Sequence, residues 1–475
     1  MTATLGRPVP RATRPTRHAA GATPAARDRR LRTAAEALVC ASLTLVAFWW
    51  ATGGGLSDLS GWATGLDSLG RLTGLLASVL LLVQVILMAR VPLLEQAFGQ
   101  DRLARIHRLV GFTSFTGMLA HIGLITWGYA AGDLARVPAE AWDLTVDYPG
   151  MLLAVAGTAC LVMVVITSVR AARSRLRYES WHLLHLYAYL GVGLALPHQL
   201  WTGQEFLEST ARTVFWWTLW ALAAGSVLLW RIALPLRRSL RHRLVVTSVV
   251  DEGDGCVSVH LSGQHLAELD VRAGQFFGWR FLTGPGWTRA HPFSLSAAPD
   301  GRSLRITVKD LGDGSRALRR LRPGTRALVE GPFGRLADRA GSNGRVALVG
   351  AGVGITPLRA LAEELGEAGR DVVVLHRFTD EPLFAHEFTV LARECGIGLI
   401  PLPGPRRASD SWLGDGVGGP LRHTDDLTAL LARVPDIAER DVYVCGPEPW
   451  TRLVRQTLSA AGTPTDRVHS ETFGW

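Results

Sequence analysis

The chain has 475 residues, which is enough for two or three domains, and 48% of them are hydrophobic. Fifty Lys and Arg residues against 41 Asp and Glu residues give a formal net charge of +9. We interpret this charge as a membrane-topology signal, because the arginines lie beside apolar segments, and we predict no nucleic-acid partner. The five cysteines form no CxxC pair, which argues against iron-sulfur and zinc centres.

The chain begins with a segment rich in Pro, Ala, Arg and Thr, and we predict that residues 1–33 form a disordered cytoplasmic tail. Residues 34–236 are predicted to form a six-helix transmembrane bundle in a lipid bilayer, because each apolar segment can cross a hydrocarbon layer of about 30 Å. The six segments are Ala34 to Thr52, Ser68 to Ala89, Ile106 to Gly128, Pro149 to Val169, Trp181 to Trp201 and Thr213 to Leu234.

Arginines mark one side of this predicted bundle. They cluster before the first segment, between the fourth and fifth, and after the sixth, whereas the loop at residues 129–148 holds only Arg136 against four acidic residues. Positive charge accumulates on the cytoplasmic side of membrane proteins. The sequence therefore predicts a multi-pass protein of the cell membrane with both termini in the cytoplasm.

Four histidines lie inside two of the apolar segments. His107 and His121 are fourteen residues apart in the third segment, which on a helix is about 21 Å of rise and nearly four whole turns. His185 and His198 lie in the fifth segment. Because an ionisable residue at membrane depth is costly without a buried partner, the two pairs predict two metal centres stacked across the bilayer.

The fifth segment fits this pattern less well. Its two histidines are thirteen residues apart, about 140° around an ideal helix, and Gly191, Gly193 and Pro197 offer a way to bend the helix before the second one. His182 lies one turn before His185 and competes with it for the inner site. The alternative is that each histidine only bonds a backbone carbonyl between helices, which we consider weaker for a paired arrangement.

The second half of the chain changes to short β-rich runs and then to alternating strands and helices. Residues 243–340 are predicted to form a small antiparallel β-barrel, with strands at Leu244 to Val250, Cys256 to Leu261, Gln275 to Leu282 and Ser303 to Lys309. Residues 341–475 are predicted to form a doubly wound α/β domain, because strands near residues 345, 371 and 441 alternate with helices.

Several motifs fall in these two domains. A segment with the sequence HPFS precedes Lys309 and the turn Gly312-Asp313-Gly314-Ser315, whose helix start could bind phosphate or could be an ordinary capped turn. The sequence GAGVGITP from Gly350 follows a strand, where glycines let a dinucleotide approach the backbone. The sequence CGP from Cys445 and the sequence ETF from Glu471 come last.

Arg377 follows the second strand of the α/β domain, where a cation could meet a ribose 2'-phosphate. Arg406 and Arg407 are further candidates. In an arginine-rich chain, surface placement is the competing interpretation for all three. The preference for NADPH or NADH therefore stays open at this point.

The ordered set of HPFS, GAGVGITP, CGP and a terminal ExF resembles the ferredoxin-NADP reductase superfamily. With six spans and four spaced histidines before it, the chain resembles the membrane ferric reductase and NADPH oxidase family from about Ala34 to Trp475. That resemblance implies an FAD-binding domain and an NAD(P)-binding domain after a haem-binding membrane domain.

The resemblance also implies roles for individual residues. The flavin would be held by His291, Pro292, Phe293 and Ser294, and its phosphate by Lys309, Gly314 and Ser315. The nicotinamide dinucleotide would be held by Gly350, Gly352, Gly354, Thr356, Cys445, Gly446 and Pro447. Phe473 would cover the flavin, although Trp475 follows it and competes for that role, and Cys445 could instead be a small buried hydrophobe.

In such a protein, electrons pass from cytoplasmic NADPH or NADH through FAD to two haems. The inner haem would lie between His107 and His185 and the outer one between His121 and His198, both of b type because the chain has no CxxCH. The acceptor would be a small molecule, either dioxygen giving superoxide or a ferric chelate. Two alternatives stay open, an electron-supplying partner of another membrane or extracytoplasmic protein and a haem-free flavoreductase, and the sequence leaves the oligomeric state undetermined.

Overall fold

The computed structural model describes residues 24–472 except residues 177, 204–205, 207, 285–286, 335, 337–343 and 417–423. Most of the predicted tail, Arg177, Phe473 and Trp475 lie outside the described residues. Helices in the first half are α1 (Pro24–Trp50), α2 (Trp62–Met88), α3 (Pro92–Phe98), α4 (Gln100–Tyr129), α5 (Val137–Asp147), α6 (Met151–Ser168), α7 (Arg170–Arg173), α8 (Tyr178–Trp201), α9 (Thr210–Ser226) and α10 (Leu234–His242).

Within the described residues, five helices are long and apolar enough to cross a membrane. They are Ala26–Gly55, Trp62–Met88, Arg102–Tyr129, Met151–Ser168 and Thr210–His242, and they correspond to five of the six predicted spans. The remaining predicted span is the 24-residue helix α8, which is long enough. Its three histidines and Gln199 lower its mean hydropathy, and it is not among the five helices that qualify. The six-span count is therefore not confirmed.

Three local features differ from the expectation. Helix α1 begins at Pro24 and takes in residues 24–33, which we had assigned to the tail. The loop at residues 129–148 contains α5, which begins with Pro138 at its first turn. Helix α8 continues through Pro197 and reaches Trp201 without an interruption.

Small residues let the membrane helices approach closely. A Cβ atom on Gly157 of α6 would lie 2.7 Å from the carbonyl oxygen of Gly191 of α8, and a Cβ on Gly191 would lie 2.9 Å from the carbonyl oxygen of Gly157. Such close backbone contact is the usual way for helices to pack in lipid, where apolar burial provides no driving force between them. Helix α8 is thereby held against α6.

Two three-stranded antiparallel sheets follow the membrane helices. Their strands are β1 (Val245–Gly253), β2 (Cys256–Ser262), β3 (Phe276–Phe281), β4 (His291–Ser294), β5 (Ser303–Lys309) and β6 (Ala327–Phe333), and a short helix α11 (Asp313–Leu318) follows β5. The sheet orders are β1-β2-β5 and β4-β3-β6. Single bridges at Val245–Arg326 and Leu295–Ile306 connect the sheets, and a closed barrel is not confirmed.

The last part of the chain is a five-stranded parallel sheet with the order β11-β10-β7-β8-β9. Its elements are β7 (Arg345–Ala351), α12 (Ile355–Glu367), β8 (Asp371–Arg377), α13 (Ala385–Cys395), β9 (Gly398–Leu402), α14 (Asp426–Arg433), β10 (Asp441–Gly446), α15 (Glu448–Ala460) and β11 (Val468–Thr472).

Alternate residues of these strands pack on opposite faces of the sheet, as the pleat requires. Val346 and Leu348 pack in one cluster with α12 and α13, whereas Ala347 and Val349 pack in another with α14 and α15. Helices therefore cover both faces, and the doubly wound arrangement is confirmed.

Candidate functional site

The histidines of α4 and α8 meet in two pairs. The ring centroids of His107 and His185 are 6.1 Å apart, and those of His121 and His198 are 6.4 Å apart. We call His107 with His185 the proximal pair, because it lies toward the β-sheets, and His121 with His198 the distal pair. His182 lines a cavity that both pairs also line, and it interacts electrostatically with Arg231 and Glu330.

These separations suit a metal ion between each pair of rings. Two metal–nitrogen bonds of about 2.0–2.1 Å, with roughly 1.1 Å from each ligating nitrogen to its ring centroid, put two opposed imidazoles about 6.3 Å apart. Bis-imidazole ligation of haem iron has this arrangement. Both pairs have the donor chemistry and the spacing for it, and their role as ligands is a proposal.

Hydrogen bonds fix the imidazole tautomer on α4. His121 Nδ1 lies 2.8 Å from the carbonyl oxygen of Gly70, and His107 Nδ1 lies 3.3 Å from that of Gln84. Because a carbonyl oxygen only accepts, each Nδ1 donates, and each Nε2 keeps its lone pair for a metal. The carbonyl bonds that we had considered as an alternative role thus leave the ligating nitrogen available.

The α8 histidines are oriented by hydroxyl groups. His198 Nδ1 lies 2.6 Å from Thr202 Oγ1, which itself donates to the carbonyl oxygen of His198 at 2.7 Å and therefore accepts from the ring. His185 Nδ1 lies 3.3 Å from Ser168 Oγ. In all four histidines Nδ1 lies within 3.3 Å of a carbonyl or hydroxyl oxygen, so Nε2 is the ring nitrogen that could ligate a metal.

One cavity of about 1950 Å³ connects both pairs with the flavin-binding candidates. The residues that line its wall include both histidine pairs, His182, Arg280, Arg289, Pro292 and Phe333. Gly74 makes room at the distal end, because a Cβ there would lie 2.5 Å from His121 Nδ1. The lining of the cavity extends from the membrane helices to Pro292 of strand β4.

A cluster of ion-paired side chains connects the membrane helices to sheet β4-β3-β6 beside this cavity. Glu330 of β6 lies 3.8 Å from Arg231, on the helix that continues α9, and also forms an ion pair with Arg280 of β3. Arg280 Nε donates to the carbonyl oxygen of Thr288 at 2.8 Å. Glu330 therefore fixes the sheet relative to the last span.

The HPFS segment forms β4, and its residues alternate in direction. His291 and Phe293 stack with their centroids 5.8 Å apart and lie on one side of the strand. Ser294 is buried, and its Oγ has no hydrogen-bond partner within the part of the chain that the structure describes. An unsatisfied buried hydroxyl at this strand suits a bound polar ring such as that of a flavin.

The glycine-serine turn lies against the same strand. A Cβ on Gly314 would be 2.8 Å from His291 Cε1 and 3.3 Å from Arg289 Nη1. Arg289 thus stands beside the turn, where its guanidinium suits a phosphate, and the sequence argument did not single it out.

The other two residues assigned to phosphate are already engaged. Lys309 Nζ pairs with Asp254 Oδ2 at 2.7 Å, and Ser315 Oγ donates to the carbonyl oxygen of Gly312 at 2.9 Å. A phosphate contact by Lys309 would have to replace that ion pair. Arg289 is a second cation near the turn.

The two nucleotide motifs meet where the strand order reverses. GAGVG follows β7 and CGP follows β10, and these neighbouring strands pair Gly350 with Cys445. A Cβ on Gly354 would collide with the carbonyl group of Cys445, whereas Gly352, with φ +53°, faces open space. Dinucleotides bind at this kind of switch point, outside the carboxyl ends of the strands.

Two side chains assigned to the nucleotide site, Thr356 and Cys445, are buried. Thr356 Oγ1 donates to the carbonyl oxygen of Val353 at 2.8 Å. Cys445 is fully buried in the core, and that burial raises the pKa of its thiol well above the usual value, so the group is neutral. This environment favours the alternative interpretation of Cys445 as a small buried hydrophobe.

Arg377 ends β8 and is 8% exposed. Burial, followed by the nearby charge of Arg406, lowers the pKa of its guanidinium, and the group donates to the carbonyl oxygen of Phe378. Arg377 thus stands beyond the second strand of the parallel sheet, where the sequence predicts a site for a ribose phosphate, and both Arg406 and Asp415 contribute to the charge around it.

The end of the chain returns to strands β3 and β4. Gly334 lies close to the carboxylate of Glu471, because a Cβ there would be 3.0 Å from Glu471 Oε1, and also close to Phe276, which pairs with Ser294. The choice between Phe473 and Trp475 as the flavin cover lies outside the described residues.

Comparisons with known proteins agree with this arrangement. Residues 73–196 match the family model "Ferric reductase like transmembrane component". The chain is 33% identical over 205 residues to the stachydrine N-demethylase reductase subunit Stc4 of Rhizobium meliloti, covering 40% of this chain and 55% of that protein. It is 30% identical over 197 residues to ferredoxin–NADP reductase B of Sorangium cellulosum, covering 40% of this chain and 80% of that one.

A third relative is the flavohemoprotein of Deinococcus radiodurans, which is 30% identical over 265 residues. That match covers 52% of this chain and 60% of the relative, so the chain spans little more than half of Stc4 and of this flavohemoprotein. The transmembrane match and the five apolar helices indicate a membrane protein. The chain therefore joins a ferric reductase-like transmembrane component to a ferredoxin-NADP reductase-like module for FAD and NAD(P), and through that second half it belongs to the ferredoxin-NADP reductase family.

Proposed function

We propose that the protein is a transmembrane oxidoreductase of the cell membrane that moves electrons from cytoplasmic NAD(P)H through FAD and two b-type haems to an acceptor on the outer side. The single observation that carries this proposal is the cavity that joins both histidine pairs to strand β4. FAD, when bound, takes two electrons together as hydride and releases them singly, and each haem iron carries one at a time.

The proximal pair would hold the haem nearer the flavin and the distal pair would hold the second. Each pair would supply two imidazoles to its haem, and such a haem would serve electron transfer rather than oxygen binding. The Nδ1 contacts of the four histidines would orient the rings and leave each Nε2 as the ligating nitrogen, with raised basicity where Nδ1 donates.

Strand β4 and the turn at Gly314 would hold the flavin. Ser294 would use its unpartnered hydroxyl toward the ring, and Arg289 would neutralise phosphate together with the backbone near Gly314. His291, Pro292 and Phe293 would shape the ring site, and an aromatic at Phe473 or Trp475 would cover its other face.

The crevice between β7 and β10 would hold the nicotinamide dinucleotide. Gly350, Gly352 and Gly354 keep the turn small enough for a pyrophosphate to approach, and Gly446 and Pro447 form the facing wall. Arg377 and Arg406 together favour NADPH over NADH, because two guanidiniums suit a 2'-phosphate dianion.

The acceptor would be dioxygen or a ferric chelate, and it would meet the distal pair. The experiment that tests this function adds NADPH and then NADH to purified protein under anaerobic conditions and records the absorption spectrum. Flavin bleaching followed by sharp reduced haem α-bands is expected, and admission of oxygen or ferric citrate should reverse both. Pyridine haemochrome analysis that finds no haem in a flavin-loaded preparation would overturn the membrane half of the proposal in favour of a haem-free flavoreductase.

A further inference from the structure

Helix α10 continues the last membrane-spanning helix beyond the length that a bilayer needs. The continuous helix Thr210–His242 has 33 residues. At 1.5 Å per residue it is about 50 Å long, whereas the hydrocarbon layer is about 30 Å thick. Its C-terminal turns, which form α10, therefore extend to the level of the lipid headgroups.

One face of α10 is fixed to sheet β4-β3-β6. Ser239 is buried, and its Oγ accepts from the backbone N–H of Val329 at 3.1 Å and donates to the carbonyl oxygen of Val329 at 3.4 Å. Arg238 donates to the carbonyl oxygen of Gly331 on the same strand. The position of α10 therefore determines the position of β6.

The opposite face stays exposed after the soluble domains have packed. Leu236 and Leu240, four residues apart, are 54% and 63% exposed. Arg237, Arg241 and Arg243 are exposed beside them, and Arg241 is paired at the surface with Glu268. Leucines beside guanidiniums suit the interfacial layer of a bilayer, where apolar side chains meet lipid and guanidiniums meet headgroups.

We propose that α10, as the interfacial end of the last span, binds anionic phospholipid headgroups at its exposed face through Arg237, Arg241 and Arg243, with Leu236 and Leu240 against the lipid. The occupant follows from the charge of the face and from its continuity with the span. Through Ser239 and Arg238, the bound lipid would hold β6, and with it the flavin-binding sheet, against the membrane.

A purely topological role for these arginines predicts something different. Arginines that only direct insertion would not distinguish lipid headgroups once the helix is in place. Each arginine that binds a headgroup raises the affinity of the helix for an anionic membrane roughly fivefold, and this increase requires negatively charged lipid. The two roles are separable by changing the lipid alone.

The test is hydrogen exchange of the full-length protein in nanodiscs of phosphatidylcholine and in nanodiscs of phosphatidylcholine with phosphatidylserine at about seven to three. Amides of residues 234–243 should exchange at least about fivefold more slowly in the anionic discs. Amides of β6 should slow in parallel. R237Q/R243Q should lose both differences.

The matched control is R393Q/R452Q, which removes the same charge from exposed positions of the α/β domain. It should keep the lipid difference. Equal exchange in both discs by the wild-type protein would overturn the proposal and indicate that neutral lipid or protein covers this face. Because exchange needs neither haem nor NADPH, this outcome is separate from a failure of the proposed electron transfer.

Discussion

At the scale of single residues, the distal pair offers the most direct test of the haem proposal. His121 and His198 have their Nδ1 atoms engaged by Gly70 and Thr202, so only Nε2 can serve as a ligand. We expect His121→Ala or His198→Ala to remove one of the two haems while NADPH still reduces the flavin. Haem-to-flavin ratios and anaerobic spectra measure both effects, and two haems retained in both variants would contradict the assignment.

His182 and His185 can be separated in the same way. The ring of His185 lies 6.1 Å from that of His107, whereas His182 lies near Arg231 and Glu330 in the cavity wall. We therefore expect His185→Ala to lose the proximal haem and His182→Ala to keep it with a modest effect on rate. The assignment is reversed if His182→Ala abolishes that haem and His185→Ala spares it.

Sequence reasoning found the histidines because an ionisable side chain in an apolar segment is rare enough to be informative. The residues alone left His182 and His185 as competing candidates, because the choice depends on how α8 faces α4, and only the resemblance selected His185. It passed over Arg289, which lies outside the recognised motifs and reaches Gly314 only in the folded chain. It assigned phosphate to Lys309, whose partner Asp254 is brought to it by the pairing of β2 with β5.

At the scale of elements, Glu387 of α13 connects the flavin-binding strands to the α/β domain. Arg305 of β5 donates to both of its carboxylate oxygens at 2.8 and 2.9 Å, and Arg359 of α12 lies 2.6 Å away as an ion pair. Burial alone would raise the pKa of Glu387, but the hydrogen bond from Arg305 and the charges of Arg359 and Arg305 lower it below the usual 4.5. The carboxylate is therefore ionised at neutral pH.

This lowered pKa gives a prediction with a definite sign. The ion pairs stabilise the fold fully above pH 4.5, and the contribution is lost as the pH falls through the lower pKa of the folded state. Glu387→Gln should cost about 1–3 kcal/mol of stability at neutral pH and little in acid. Thermal unfolding of the soluble half can be monitored by the rise in flavin fluorescence when the flavin is released. Repeating it at pH values on both sides of 4.5 measures the stability difference between Glu387→Gln and the wild-type protein. Glu394→Gln, at a 63% exposed side chain, is the control, and an equal loss in that variant would refute the role of Glu387.

The elements themselves were predicted with uneven success. Strand β5 has the predicted bounds, Ser303–Lys309, because alternating Leu304, Ile306 and Val308 fill the core between clear turns. Strand β9 was missed because three of its five residues, Gly398–Leu402, are exposed and include a proline, so its pattern does not stand out. Strand β11 was missed because it is defined by its pairing with β10.

At the scale of the whole molecule, the β-sheets, the proximal pair and the distal pair follow one another along a single cavity. The cavity runs from β4 past the proximal pair to the distal pair, about 21 Å farther along α4. Arginine clusters at the ends of the predicted spans favour a cytoplasmic location for the sheets. Electrons from the cell's own NAD(P)H would then leave on the outer side.

Whole cells or spheroplasts that express the protein can test this direction with impermeant acceptors. Cytochrome c or a ferric chelate added outside should be reduced, and the rate should fall to background in His121→Ala and His198→Ala, because electrons cannot pass the distal position without its ligands. Sensitivity to superoxide dismutase separates oxygen as the acceptor from direct reduction. His182→Ala is the matched control, since it removes a cavity histidine outside the two pairs. Reduction only by everted vesicles, and without any need for the distal histidines, would show that the protein works as a flavoreductase facing the cytoplasm.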